Sequence, residues 1–464
     1  MEIQKMFMRF SFVVTLAVAS VSSSAQTAKV PASSADASPT IATQAGAGFD
    51  RKHFDALRAE GFDALYNLDY EKSRQRFKEI VRLYPEHPAG PQFLAANLWL
   101  KTLNESRRLQ SSLYNNDDFY AEKDDKADPK IVAEFNELTR QARALAQSRI
   151  KRDPKDAEAF YYLGAVEGLR AAFAGAVERS FMSALRNGSD AVDHHREVLK
   201  LDPNYHDAEL SIGMYDYVTG TLPLPIKLMA AIGGIRGSKK KGLATLERIT
   251  REGEWARDDA RVLLIALYKR EKRYADAYAA ANELASKYPR NYVFKMEAAD
   301  ALVAQAATDR AISPEAAKKS ETQAFAIFDT LLMSERTPAG SASSHQPANG
   351  VRQPLDFVHY SYGEALFVAG QPERAAKELL AAASNVNAEA SLATRSRLRA
   401  AQALDMAGKR DEAVAQYRAV LTRPNVFDSH VEAQRGLKGP YKLARKISET
   451  ATGRDEEAST PKDN

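Results

Sequence analysis

The sequence predicts an all-α right-handed solenoid of about eight stacked helix pairs, with helical insertions and a last helix that covers the end. Apolar residues recur at helical spacing along most of the chain. Small residues recur about twelve positions apart within the predicted pairs, and the pairs follow one another at nearly constant spacing. A chain of 464 residues with 44% hydrophobic content can bury the core of such an array.

The first predicted pair sets the pattern for the rest of the chain. Gly61 lies on the apolar face of a first helix, and Ser73 and Phe77 lie on that of a second helix, which ends before Pro85. Gly61 and Ser73 are 12 positions apart across the turn. Both small residues are therefore expected where two antiparallel helices approach closely.

Pairs of small or apolar positions recur along the chain in the same phase of successive predicted helices. The eight pairs of positions are Gly61/Ser73, Asn97/Ala142, Gly164/Ala191, Gly213/Gly242, Ile265/Ala277, Ala299/Ala324, Gly363/Ala375 and Ala401/Ala413. The spacings from one pair to the next are 24, 22, 22, 23, 22, 39 and 26 residues. Four repeats keep the 12-residue spacing, and the other four carry additions of 33, 15, 17 and 13 residues between their two helices.

This arrangement resembles the tetratricopeptide repeat (TPR), a 34-residue helix-turn-helix with small residues at its eighth and twentieth positions and a proline at its end. The repeat positions that carry the resemblance are Gly61, Ser73, Phe77, Pro85, Gly164, Ala191, Gly213, Gly242, Ala277, Gly363, Ala375 and Ala413. Stacked pairs leave a concave groove lined by the first helices. The expected function is an interaction scaffold that holds an extended peptide or a helix of an unknown protein partner, without a cofactor.

The additions in repeats 2, 3 and 4 are Thr102–Ala133, Ala176–Asp190 and Thr221–Ser238. All three enter at the turn between paired helices, so they are expected to meet along one edge as a side wall for recognition. The alternative is that they lengthen helices and bury one another's apolar residues.

The fourth repeat carries an apolar run, Leu222–Ile235, followed by a glycine-rich turn and three lysines. One interpretation is a helix packed on its neighbour, with the lysines at the solvated start of the next helix. The other is an apolar surface with a basic edge that binds a partner or a membrane. The candidate interaction residues are Leu222, Leu224, Met229, Lys239, Lys240 and Lys241.

Around this run the chain also resembles the tetratricopeptide repeat protein 39 family and its bacterial relatives. The matching residues are Gly213, Tyr217, Leu222-Pro223, Gly233-Gly234, Gly237, Lys241-Gly242 and Leu246. That resemblance implies an adaptor, associated with lipid bodies in some members, and not an enzyme.

The N-terminal residues predict export. Residues 1–25 combine Lys5 and Arg9 with a short apolar run and a Ser-Ser-Ala end, which is typical of a cleaved secretory signal. Cysteine is absent, and the expected location is a bacterial periplasm. The predicted organisation is a disordered leader (26–50), repeats 1–6 with insertions (51–334), a flexible loop (335–354), repeats 7–8 with the capping helix (355–447) and a disordered tail (448–464).

Catalytic, metal and nucleic-acid sites are not expected. A net charge of +4 on 464 residues gives no basic footprint for nucleic acid. His194, His195 and His206 are close in sequence, but no pair of them has the spacing that places two ligands on one helix face. The acidic stretch Asn115–Lys130 lacks the spacing of a calcium loop, and no nucleophile elbow is present.

Overall fold

The computed structural model describes residues 49–111, 128–222, 227, 237–333, 354–385 and 388–442. Within these ranges the chain forms seventeen α-helices and no β-strand, so the predicted all-α fold is confirmed. The helices are α1 (Arg51–Tyr66), α2 (Tyr70–Leu83), α3 (Ala89–Glu105), α4 (Pro129–Arg152), α5 (Ala157–Ala176), α6 (Phe181–Leu201), α7 (Glu209–Gly220), α8 (Lys239–Glu252), α9 (Arg257–Arg270), α10 (Tyr274–Lys287), α11 (Tyr292–Asp309), α12 (Pro314–Met333), α13 (Leu355–Val368), α14 (Pro372–Ser384), α15 (Ala390–Met406), α16 (Arg410–Leu421) and α17 (Ser429–Lys438).

The helices pack mainly against their neighbours along the chain. Consecutive helices form pairs, beginning with α1 and α2 and continuing to α15 and α16. First helices of neighbouring repeats also touch, as α11 does with α13 and α13 with α15. The last helix, α17, packs against both α15 and α16 and so covers the final pair.

Glycines at the crossings bring paired helices into direct contact. A Cβ atom built on Gly61 would lie 2.3 Å from Cε1 of Phe77, whose ring is fully buried. A Cβ on Gly242 would lie 2.5 Å from the carbonyl oxygen of Gly213. Because that oxygen belongs to the backbone of the paired helix, it cannot turn aside as a side chain can. The crossing of α7 and α8 therefore requires a residue without a side chain.

Polar residues fix where several helices begin. The Asp50 carboxylate accepts a hydrogen bond from the His53 amide at 3.0 Å, at the start of α1. Ser313 acts in the same way before α12, where its hydroxyl accepts from the Ala316 amide at 3.4 Å. These side chains satisfy backbone donors that have no partner within the helix.

The start of α17 has the sequence of a capping box, Ser429 followed three residues later by Glu432, but does not form one. Ser429 is the first residue of the helix, and its hydroxyl accepts from the Val426 amide at 3.1 Å. Glu432 pairs with Arg435 at 2.6 Å instead of reaching back to the cap. Asp428, in the left-handed region at φ 56°, turns the chain into the helix, and the Asn425 side chain accepts from the His430 backbone amide at 3.0 Å in its first turn.

The array curls far enough for its first repeat to touch its fifth and sixth. The Tyr66 ring, at the end of α1, stacks on Tyr288 with ring centroids 4.9 Å apart, and its hydroxyl donates to Asp259 of α9. The side-chain Nδ2 of Asn291 donates to the Tyr66 carbonyl oxygen at 2.7 Å. Repeat 1 is therefore in direct contact with repeats 5 and 6, in addition to the contacts between neighbouring repeats that the stacking pattern predicts.

The additions behave differently from one another. In repeat 3 the addition lengthens α5 and α6 to 20 and 21 residues. The start of α4 meets the end of α5, where Phe135 stacks on Phe173 at 3.8 Å. In repeat 2, residues 106–111 leave the edge formed by the turns between paired helices. They cross the inner face of the array, which is the face lined by the first helices of the repeats. The expected side wall therefore does not include that segment, and in repeat 3 the lengthened-helix alternative holds.

Several sequence predictions concern residues outside the described ranges. They are the signal peptide (1–25), nearly all of the leader (26–50), nearly all of the loop (335–354) and the tail (448–464). Among the described helices, none combines the length and apolar character that a bilayer crossing requires.

We expect substitutions at the glycine crossings to destabilise the fold in proportion to the clash. Gly61→Ala and Gly242→Ala should each lower the free energy of unfolding by about 1–3 kcal/mol, because the added methyl group overpacks a buried contact. Gly188→Ala is the matched control, since its Cβ would meet nothing closer than 4.0 Å. That change should raise stability by up to about 1 kcal/mol, as alanine favours the helix. Equal melting of all three variants would contradict the crossings.

Candidate functional site

The inner face of the later repeats holds a segment of the chain itself. Residues 106–111, called the crossing segment below, continue from α3 over the first helices of repeats 5, 6 and 7. The Arg107 guanidinium pairs with Asp356 of α13 at 3.3 Å. The Ser361 hydroxyl, one turn further along α13, donates to the Gln110 side chain at 3.1 Å. The segment is thus held at both its start and its end.

Ser111 completes a buried charge cluster at the end of the crossing segment. Its amide and its hydroxyl donate to the two carboxylate oxygens of Glu297 at 2.6 and 2.7 Å. The Lys269 ammonium lies 3.0 Å from the Ser111 hydroxyl and 2.9 Å from Glu297, and it also pairs with Asp300. Burial alone would lower the pKa of Lys269, but the charges of Asp300 and Glu297 outweigh it and hold that pKa above its usual value.

Asp356 links the crossing segment to the eighth repeat. Asp356 is 1% exposed, and its carboxylate accepts from the Glu389 amide at 3.3 Å as well as from Arg107. Glu389 in turn caps α15 by accepting from the amides of Ser391 and Leu392 at 2.9 and 2.8 Å. One carboxylate therefore fixes the position of both the segment and the start of α15.

A cavity of about 340 Å³ lies between the crossing segment and the first helices of repeats 6, 7 and 8. A volume in this range is typical of a site for a small ligand or for a few side chains of a partner. Its wall combines polar residues of the crossing segment with charged, aromatic and apolar residues of the helices. The lining residues are Ser106, Arg107, Arg108, Gln110, Asp300, Val303, Phe357, Tyr360, Ser361, Glu364, Ala365, Val368, Glu389, Ser391, Leu392, Arg395 and Phe427.

The chain itself supplies partners for the carboxylates of this cavity. Asp300 pairs with Lys269, and Glu364 accepts from Nε and Nη2 of Arg399 at 2.6 and 3.0 Å. Glu389 is used as a helix cap. The acidic side chains of the wall are therefore part of the fold and are not free to bind a cation.

Comparison with known proteins finds similarity in structure but no match in sequence. Neither a family model nor a curated protein sequence matches this chain. A human IFIT1 dimer with PPP-AAAA aligns at 12% identity and a TM-score of 0.40, over 84% of this chain and 86% of that one. A tetratricopeptide repeat protein from Parabacteroides merdae aligns at 13% identity and a TM-score of 0.28, over 72% and 93%. Yeast Tom70 aligns at 11% identity and a TM-score of 0.33, over 83% and 95%.

The fold is a TPR-like helical repeat. The packed helix pairs and the small residues at their crossings carry this assignment. The resemblance to the tetratricopeptide repeat protein 39 family stays a prediction from the sequence.

The predicted repeat positions lie at TPR-like helix crossings, away from the cavity. A Cβ on Gly363 would lie 2.5 Å from Leu379, and one on Gly164 would lie 2.4 Å from the His195 ring. The small residues on the second helices are buried, namely Ser73, Ala191, Ala277, Ala375 and Ala413, all at 0% exposure. These residues shape the scaffold and do not face a ligand.

The predicted interaction segment of repeat 4 is described only in part. Leu224 and Met229 lie outside the described residues, and Leu222 is half-buried after α7. Lys239 pairs with Glu271 at 2.7 Å, and Lys241 pairs with Asp216 at 3.2 Å. Two of the three lysines are thus tied to the neighbouring helices, while Lys240 is exposed.

His195 has a structural place between α5, α6 and α7. Its Nε2 donates to the Tyr161 carbonyl oxygen at 3.1 Å, and its Nδ1 accepts from the Ser211 hydroxyl at 2.6 Å. Burial lowers the pKa of His195 to about 4, so the ring is neutral near pH 7. Across the described residues, no group of three acidic or histidine side chains could hold a metal ion.

The crossing segment and the cavity were not predicted from the sequence. Ser106–Ser111 carries two adjacent arginines and no helical period. Its partners Glu297 and Asp356 lie 186 and 249 residues further along the chain. The one local signal is Glu297, a carboxylate on the otherwise apolar face of a predicted first helix.

We expect Glu297→Ala to release the end of the crossing segment. The change removes the acceptor of the Ser111 amide and one of the two carboxylates that compensate Lys269, and breaking a buried pair costs about 3–5 kcal/mol. Urea unfolding should show that loss, and hydrogen exchange should accelerate at the Ser111 amide. Glu71→Ala is the control, because its pair with Lys101 is exposed and contributes at most about 1 kcal/mol. Unchanged exchange at Ser111 would contradict the role of Glu297.

Proposed function

We propose that this chain is an interaction scaffold that receives an extended segment of a partner protein in the cavity beside the crossing segment. One observation carries the proposal: the inner face already holds a non-helical piece of polypeptide, the crossing segment, through backbone and side-chain hydrogen bonds. Glu297 accepts from the Ser111 amide, which any residue other than proline could supply. An inner face that binds one such segment in this way can bind a second segment beside it.

The size and the wall of the cavity favour an extended segment over a helix. Its volume of about 340 Å³ accommodates a few side chains, whereas an α-helix is about 10 Å across. The crossing segment also occupies the part of the inner face where a helix would have to lie. We therefore assign the partner as a protein with an accessible extended stretch, and we assign the chain a binding role and not a catalytic one.

Contact with lipid through residues 222–235 is the alternative function. Lys239 and Lys241 form ion pairs with Glu271 and Asp216, which favours a structural role for the basic edge of that segment. Lys240 is exposed, and the described residues show no ion pair for it. The cavity is therefore the better-supported site.

Filling the cavity should abolish peptide binding and leave the fold intact. Ser391 lines the cavity in the first turn of α15, so Ser391→Trp places a bulky ring in it. We expect the full chain to select peptides from a 12-residue phage-display library, and Ser391→Trp to lose them while melting normally. Ser286→Trp, on the exposed face of α10, is the matched control. Equal peptide binding by both variants would place the site elsewhere.

We also propose that the chain is exported, on the support of the basic start, short apolar run and small-residue end of residues 1–25. N-terminal sequencing of the protein from its native host should then begin near Gln26. Recovery of a protein that still begins at Met1 would remove the periplasmic assignment.

A further inference from the structure

Neighbouring side chains of the crossing segment contribute to two different cavities. Arg108 and Gln110 line the cavity of about 340 Å³ beside the first helices of repeats 6, 7 and 8. Leu109, which lies between them in the sequence, lines a second cavity of about 70 Å³. The wall of this second cavity is mostly apolar, and it is called the apolar pocket below. The crossing segment therefore separates the proposed binding site from another region of the array.

The apolar pocket lies where repeat 1 contacts repeats 5 and 6. Its wall includes Tyr66 of repeat 1, Asp259 of α9 and Asn291, which caps α11. The hydrogen bonds that join repeat 1 to the later repeats are made by these same residues, from the Tyr66 hydroxyl to Asp259 and from Asn291 to the Tyr66 carbonyl oxygen. Leu109 is partly buried and packs against the hydrophobic core. This closure contact, between repeat 1 and repeats 5 and 6, thus includes a side chain of the crossing segment.

The position of the crossing segment affects both regions in the same direction. The segment supplies Ser106, Arg107, Arg108 and Gln110 to the wall of the larger cavity, so a partner in that cavity binds more tightly when the segment is in place. The closure contact favours the same position of the segment through Leu109. Two events that favour one state of a shared element strengthen each other, and by linkage the effect on the binding free energy is equal in both directions.

From these observations we infer that the crossing segment couples partner binding to the closure contact. A partner segment in the larger cavity strengthens the contact between repeat 1 and repeats 5 and 6, and that contact in turn raises the affinity for the partner. This inference rests on the proposed function, since it presupposes that the larger cavity binds a partner. It adds a means of regulation, because repeat 1 supplies no residue to the wall of that cavity and still sets its affinity.

Two backbone amides report on the two regions separately. The Ser111 amide donates to Glu297 and reports whether the crossing segment is in place. The Arg290 amide, in the turn before α11, donates to the Asn67 side chain of repeat 1 at 3.3 Å and reports on the closure contact. Hydrogen exchange at such an amide accelerates when the local structure opens. Both regions can therefore be followed in one sample of the full chain.

The first measurement is partner binding after a change in repeat 1. Tyr66→Leu removes the ring that stacks on Tyr288 and the hydroxyl that donates to Asp259, and neither lines the larger cavity. Fluorescein-labelled peptides from the 12-residue display library should bind this variant at least about fivefold more weakly in fluorescence anisotropy.

The matched control is a change of similar size in another buried aromatic contact. Phe135→Leu removes a buried ring that stacks on Phe173, and neither of these residues lines either cavity. This variant should bind the peptides as the unchanged chain does. Tyr66→Phe keeps the ring stack and loses only the hydroxyl, so it replaces Tyr66→Leu if that variant does not fold. It should weaken binding about twofold or more, as expected for the loss of one hydrogen bond.

The second measurement is the reverse effect, on the unchanged chain. A saturating concentration of the selected peptide should slow hydrogen exchange at the Ser111 and Arg290 amides at least about fivefold. Arg290 does not line the larger cavity, so direct shielding by the peptide does not account for slower exchange at that amide.

The outcomes separate the inference from the proposed function. If no peptide is selected, or if Ser391→Trp binds as the unchanged chain does, the proposed function fails. If Ser391→Trp loses the peptides but the folded Tyr66 variants bind them with full affinity, the coupling is overturned and the peptide site remains. Equal weakening by Tyr66→Leu and Phe135→Leu would also overturn it, because a general loss of stability then explains both. Slower exchange at Ser111 with no change at Arg290 would overturn it as well, since the segment would then act on the larger cavity alone.

Discussion

The position of the crossing segment depends on the buried cluster of Lys269, Glu297 and Ser111. Two charges withdrawn from water lose hydration, and their attraction offsets that loss only when further hydrogen bonds complete the site. Here the further bonds come from the amide and hydroxyl of Ser111. The cluster is thus complete only when the segment is in place. Its main effect is to specify where the segment lies, because an apolar contact of the same size could stabilise the fold equally well without fixing a register.

The contacts of the crossing segment couple the stability of distant repeats. In an open solenoid each repeat touches only its neighbours, and stability is close to a sum over repeats and interfaces. This chain adds contacts between distant repeats, such as Tyr66 with Tyr288, Arg58 over the Trp255 ring at 4.1 Å, and the crossing segment with α11 and α13. Opening one repeat therefore breaks contacts in another. Repeats 1 to 7 are coupled in a way that the 34-residue pattern alone does not imply.

The helix pairs could be predicted because their signal is local. Gly61 and Ser73 lie on two helices joined by one short turn, and a fixed spacing places both at the same crossing. The crossing segment could not be found in this way, since Ser106–Ser111 has no period and its partners are about two hundred residues away. The paths of the additions could not be predicted for the same reason. Position at a turn predicts where an insertion starts but not whether it follows the edge, as in repeat 3, or turns onto the inner face, as in repeat 2.

The crossing segment also takes part in the charge balance of the inner face. The first helices present Glu297, Asp300 and Asp356 to the inner face, which alone would favour a cationic ligand. Lys269 and Arg107 neutralise these carboxylates when the segment is in place. The contacts that hold the crossing segment therefore compensate the negative charge that the first helices would otherwise present to the inner face.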